Sequence, residues 1–547
     1  MERRLILAIV LSFLVLMGYQ YFFVKPHKAA VSPVVPSAAA PAAPVPGTSG
    51  EVQAQQKAAA EAKPAPVEAE PPQDLTAVAG RAEMDIVVDT SLYKAVWSNK
   101  GGVLKSWKLK RHENSQEEDL EIVPALAAEI GRYPFSLGLE DAALAGLLDS
   151  SLFDASETGL ELADGASGEL RFVFSDGASI KAEKAFRFTG GSYAVDTEIR
   201  VWNNGQPIIS SVLWGPGISN LTPAELKQSF SASRGSAVYT GGKVIRMNER
   251  KYKAGENTYN FVDWAAYEEN YFVALFVLPP QKGQAAFLQE TAAGRQVPAY
   301  FVYVTEPRQA FIGPKESEAL KAFGHEAKKV IHFGMFGSIA EILLIAVKFF
   351  HKLVPNWGVA IILLTVVIKI IFFPLTYSST KSMAKMADLQ PKIKAIRAKY
   401  KKAKSDIAQR RQMNEEMMKL YKEQGVNPAG GCLPMLLQLP VFWGMFRMLV
   451  VSVEFRHAPF ALWITDLSVK DPYYVTPILM GMTQFISQKM TPTSADPSQA
   501  KMMLIMPVVM TIFFMNFQSG LVLYWLTTNV LQIGQQAIMN RMMHRHK

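Results

Sequence analysis

From residue 357 to 377 the chain reads WGVAIILLTVVIKIIFFPLTY, an apolar run broken by one cation, Lys369. About 20 such residues at ~1.5 Å each are long enough to cross a bilayer, so this pattern predicts a spanning helix. Similar runs predict spans at about 433–453, 473–488, 502–517 and 521–538. Near the start, Arg3 and Arg4 precede the apolar stretch 5–24, which ends in Tyr21, Phe22 and Phe23. It exceeds the usual ~7–15-residue core of a cleaved leader, which favours an uncleaved anchor over residues 1–25. Cleavage near the Ala-rich stretch that follows is the competing reading. Residues 338–353 are apolar at helical spacing but interrupted by Glu341, Lys348 and Lys352, a pattern suited to a helix lying in the interface.

Between the anchor and these runs the pattern changes twice. Residues 26–77 are dominated by Ala, Pro, Val, Gln and Glu and predict a disordered periplasmic linker. Residues 78–335 alternate in the strand manner, as in ELRFVFSDG, YAVDTEIRVWNNG and VPAYFVYVTEP. Turn signals such as Asp176-Gly177 and Asn203-Asn204-Gly205 punctuate them. Many strands without intervening helical periods predict a large all-β sandwich.

Charge separates the two regions. Residues 76–330 hold 27 basic and 32 acidic side chains, whereas residues 336–547 hold 24 basic and 10 acidic ones. The net +9 therefore belongs to the region of apolar runs, where membrane topology and anionic lipid explain it before nucleic acid does. The single cysteine, Cys432, excludes an intramolecular disulfide. No His/Cys cluster has zinc spacing, and there is no phosphate-cradling glycine loop or G-x-S-x-G elbow. These motifs offer no support for an enzyme, a metal or a cofactor.

Residues 378–427 carry 13 Lys/Arg against 5 Asp/Glu, which marks this loop as cytoplasmic. Two helical patterns within it, 381–400 and 405–423, predict a hairpin with Ser405 as N-cap and Gly425 as stop. With the basic C-terminus also inside, six spans place both termini in the cytoplasm and the β-rich domain in the periplasm.

Several strings carry a family resemblance: NPAGGCLPMLLQLPVFWGMFRML (427–449), APFALWITDLSVKDPYYVTPILMG (458–481), SGLVLYWLTTN (519–529) and SMAKMADLQPKIKAIR (382–397). In that order they resemble the YidC-type membrane protein insertases of the YidC/Oxa/Alb family, in the Gram-negative layout. The resemblance implies a bacterial inner-membrane insertase and chaperone without covalent chemistry. It implies a five-helix core within residues 336–547 and a water-filled groove open to cytoplasm and lipid. It also implies as partners nascent membrane proteins, the Sec translocon, and the ribosome or the signal-recognition-particle receptor through the basic hairpin. The family's groove cation is normally Arg; Lys369 stands at that position, keeping the charge and losing the bidentate fork. Gln518 replaces the usual Pro of the last hairpin turn.

An ammonium inside hydrocarbon costs on the order of 2.5–3.5 kcal/mol on insertion scales, so it faces a wet cavity, a partner or, by snorkelling, the near interface. Thr365 lies one turn before Lys369 on the same face. Gln438, Thr527, Thr528 and Asn529 are further candidates for polar lining; packing between helices, or bonding to their own helix, competes for each. Tyr524 and Trp525 resemble the family's substrate-facing aromatic position, with lipid contact as the alternative. The many methionines suit either varied apolar guests or core filling. A secondary transporter or channel for an anionic solute remains the second functional class, although no paired inverted halves are visible.

Overall fold

The computed structural model describes residues 76–547 apart from 115, 219–233, 250–254, 292–297, 401–405, 427–432, 492–496 and 546–547. The chain divides into two units, Met1–Gln73 and Asp74–Lys547. The expected anchor, nearly all of the expected linker, Ser405 and the start of the 427–449 string lie outside the described residues.

Two-residue periodicity builds the first half. In the strand Ala194–Asn203 every second side chain from Val195 to Val201 is buried, and the strand pairs antiparallel with Ile180–Thr189. One ten-stranded sheet and two five-stranded sheets result. Trp97 of one small sheet sits 4.2 Å from Phe186 of the large sheet, and Trp214 of the other small sheet sits 5.9 Å from Phe276. Both small sheets thus bury their aromatic faces against the large one, which is the layering of a sandwich. The central strands Trp264–Glu268 and Phe272–Val277 are buried throughout and read as unbroken apolar runs, as strands covered on both faces do. Two details depart from an all-β domain. Short helices at Ala125–Ile130 and Ala142–Ser150 interrupt the strands, and Asp85–Thr90 pairs parallel with Gly159–Leu162. Six- and nine-residue helices are too short to register as a 3.6-residue period, and Asp141 capping the second is the local signal for it.

The second half is helical: α1 (Gly337–Leu353), α2 (Trp357–Asp388), α3 (Gln390–Lys399), α4 (Ile407–Glu423), α5 (Leu433–Val451), α6 (Val475–Met490), α7 (Pro497–Phe514) and α8 (Ser519–Arg545). In α1, Ala340, Leu343, Leu344 and Val347 are buried while Ile342, Ile345 and Phe349 are exposed. A helix apolar on both sides, one packed and one open, suits an interfacial position. Among the described residues α2 is the one helix long and apolar enough to cross a membrane; the apolar stretches Leu437–Val451 and Ile505–Phe514 are shorter. Several boundaries shift from the expected ones. α2 runs eleven residues beyond Tyr377 and takes in the start of the helix expected over 381–400, the rest of which is α3. Asp406, which accepts from the Ala408 and Gln409 amides, caps α4. The last hairpin turn falls before Ser519, since Ser519 and Gly520 already begin α8.

Within Asp74–Lys547 the two halves interlock. Val453, just past α5, belongs to the buried core of the β-rich half. Arg456, just after α5, lies 5.6 Å from the centre of the Phe272 ring in the large sheet. The Arg447 guanidinium donates to the His332 and Phe333 carbonyls at 2.5 and 3.1 Å.

Candidate functional site

α8 packs against both α2 and α6, and this three-helix junction gathers most of the candidate residues. Lys369 is half-buried, and its Nζ donates to Gln532 Oε1 on α8 at 3.0 Å. The amine therefore meets a side-chain acceptor across the helix pair. On α8, Gln532 belongs to a row at four-residue spacing, Tyr524, Thr528, Gln532, Gln536 and Asn540. Residues four apart stand one above the other on a helix, so the row forms a slowly winding polar stripe about 24 Å long.

Three members of this stripe, Tyr524, Thr528 and Gln536, are buried, and Gln536 donates to Asn540 at 2.9 Å. Among the described residues, the hydroxyls of Tyr524 and Thr528 and the carbonyl oxygens of Gln535 and Gln536 are inaccessible and make no well-formed hydrogen bond. Gln438 and Thr528 are the polar side chains nearest the Tyr524 hydroxyl, short of good hydrogen-bond geometry. Buried polar atoms are nearly always satisfied, and each left unmatched costs about 1–3 kcal/mol. Such a stripe thus calls for water or a polar guest.

The remaining candidates have structural partners. The Thr365 hydroxyl is fully buried and donates to Ile361 O of its own helix at 2.7 Å, and Thr527 does the same to Leu523 O at 2.8 Å. The Asn529 amide donates to Met480 O at 3.1 Å and ties α8 to α6. Trp525 packs edge-on to Phe442 at 5.0 Å and donates to Gln484 Oε1 at 3.3 Å. Tyr524, 1% exposed, is a core residue and touches no lipid face. Sequence reasoning overlooked Gln532, Gln535, Gln536 and Gln484. The four-residue recurrence of Gln532, Gln536 and Asn540 along one helix was the available signal.

At its N-terminal end α8 is tied to the connector that precedes α6. The Ser519 amide and hydroxyl both donate to Val469 O, and Gly520 N donates to Leu467 O. Gln518 bridges Lys470 in strand fashion, so the residue in the usual proline's place takes part in backbone pairing. Asp471 holds the connector down. Burial by itself raises its pKa, but donors from Thr476, Tyr473 and Trp463 keep it below the ordinary carboxylate range.

Two family models match this chain, "YidC periplasmic domain" over residues 85–346 and "60Kd inner membrane protein" over residues 349–546. A "Membrane protein insertase YidC" of Geotalea daltonii is 37% identical over 552 residues, covering 99% of each chain. One of the same name from Geobacter sulfurreducens is 39% identical over 562 residues, covering 99% of this chain and 98% of the relative. The chain belongs to the YidC family of membrane protein insertases. A solved structure titled "Active YidC insertase crystal structure with the first transmembrane domain resolved" is similar at 20% identity, covering 84% of this chain and 94% of that one, with a TM-score of 0.36. The two family models meet inside α1, the helix that joins the strand-rich half to the helical half. An inner-membrane protein with a periplasmic domain is thus the layout that this chain shares with its YidC relatives.

Proposed function

We propose that this chain inserts membrane proteins into the bacterial inner membrane, using the α2–α8 polar seam as the substrate groove. Lys369 attracts acidic or polar segments of the entering chain, and the stripe on α8 keeps them hydrated over part of the lipid thickness. A shortened apolar path matters because each unsatisfied backbone group in hydrocarbon costs several kcal/mol. The observation that carries this reading is the Lys369–Gln532 contact at 3.0 Å beside buried polar atoms that lack protein partners.

The chain would cross the membrane six times with both termini inside, and residues 78–335 would form the periplasmic domain. The basic hairpin formed by α3 and α4 would face the ribosome, the signal-recognition-particle receptor or anionic lipid, and the chain would insert its substrates alone or with the Sec translocon. No covalent step is required of any residue. Site-specific photocrosslinking from Gln438, Tyr524 and Gln532 to stalled nascent chains tests the path. Capture of the substrate's polar segment is expected. Capture only from lipid-facing positions such as Ile370 and Ile512 would overturn it.

A further inference from the structure

Where the outer end of α5 meets the β-rich half lies a half-open cavity of about 90 Å³. Its lining includes Arg234, Arg246, Lys315 and Arg447, with Glu268 and Glu269 as the carboxylates. Three of these cations already have carboxylate partners. Arg246 Nε and Lys315 Nζ each bond Glu268 at 2.9 Å, and Arg234 pairs with Glu249 at 3.3 Å. Arg447 differs. It bonds only the carbonyls of His332 and Phe333, and among the described residues it forms no ion pair. Counting Glu249, four cations face three carboxylates among the described residues, an excess of one positive charge.

Two further observations point to an anion. Among the described residues the buried Arg234 Nε has no hydrogen-bond partner, which leaves a donor in the lining for a guest. His332 is held to about 4 by burial and then by the charges of Arg246 and Arg447, so it adds no charge while registering the positive field around it. An uncompensated cation in a partly desolvated pocket is costly, and the cost is relieved by an anion with several acceptor oxygens. Val451, the last residue of α5, also lines the cavity, which sets it at the edge of the apolar zone where lipid headgroups lie. Clustered basic side chains near a membrane surface attract anionic headgroups.

We propose that this junction cavity is a phosphate-binding site, with Arg447 and Arg234 as its principal donors. Its bound phosphate neutralises the surplus charge and fastens the β-rich half to the end of α5. The phosphate belongs either to an outer-leaflet phospholipid or to a free phosphate ion. The site is separate from the α2–α8 seam, so its loss and the failure of the insertase reading are distinguishable.

The test titrates the detergent-solubilised full chain with phosphatidylglycerol, read by native mass spectrometry, and in parallel with inorganic phosphate, read by thermal melting. One charge-assisted hydrogen bond contributes about 1.5–3 kcal/mol, or roughly tenfold or more in affinity. Arg447→Gln and Arg234→Gln should each weaken one tightly bound phosphatidylglycerol about tenfold, while Arg447→Lys loses less. Stabilisation by inorganic phosphate that Arg234→Gln abolishes, with lipid retention unchanged, assigns the site to free phosphate. The proposal is overturned if both neutral variants bind lipid and phosphate as the unmodified chain does. Arg234 lies in the β-rich half, so its variant decides the matter even if Arg447→Gln fails to fold.

Discussion

Replacing Gln532 with Glu converts the acceptor on Lys369 into a counterion at nearly constant size. At the observed 3.0 Å and an effective dielectric of ~20, two unit charges attract by about 5 kcal/mol. Retaining half of that would oppose a substrate's acidic group by a factor of about 100. Gln532→Leu acts differently. It removes one hydrogen bond to a charged group, about 1.5–3 kcal/mol, but leaves the charge available. The assay is insertion into proteoliposomes, read by protease protection, with single-span substrates whose translocated tails differ only in being acidic or neutral. Gln532→Glu should depress acidic tails strongly and neutral tails little, Gln532→Leu should have a milder effect on both, and Lys369→Arg should be tolerated. An unchanged acidic-to-neutral ratio in the Glu variant would refute the role given to this pair.

Three other outcomes are expected. His112 is held near 4 by burial and then by Arg456, His457 and Arg111. The Glu316 carboxyl 3.7 Å away is a weak counterion, because burial and then Glu454 raise its own pKa. An unfolded His112 would bind its proton near 6.5, so between pH 6.5 and about 4 the unfolded state takes up protons that the fold excludes. Stability is intact above that window and falls by up to about 3 kcal/mol within it; His112→Gln should flatten the melting temperature between pH 7 and 4.5, and an identical acid loss in the variant would sink the assignment. A Cβ on Gly481 would lie 1.9 Å from Thr511 Oγ1, so Gly481→Ala should destabilise the α6–α7 contact by about 1–3 kcal/mol, with Thr511→Ala restoring much of it in a detergent melt. Deleting residues 80–320 should leave most insertion intact, because Lys369, Gln438 and Gln532 lie elsewhere, but it uncovers Val453; adding Val453→Ser should reduce aggregation, and complete loss of insertion in the combined variant would contradict this division of labour.

The strand-rich and helical halves were legible in the chain because each period repeats among neighbours, as in Ala194–Asn203 and Trp357–Asp388. Lys369 was legible for the same reason, a lone charge in an apolar run. Less was visible at the ends of elements. The helix expected over 381–400 is divided, its first part continuing α2 through 378–380 and its remainder forming α3, a break that the local pattern did not mark. The roles of Thr365 and Asn529 were likewise ambiguous, since a hydroxyl or amide in an apolar helix suits a groove or a helix contact equally well.

Hydropathy and periodicity are properties of contiguous residues, and by themselves they determined which segments are strands, which are apolar helices, and where the exceptional charge sits. Pairing across distance came only with the tertiary structure. It set Gln532 against Lys369 over 163 positions, turned Arg447 to carbonyls 114 and 115 positions earlier, and drove Val453 into the core of the other half. Side-chain partners depend on which helix faces meet, and that is fixed by packing of the whole molecule.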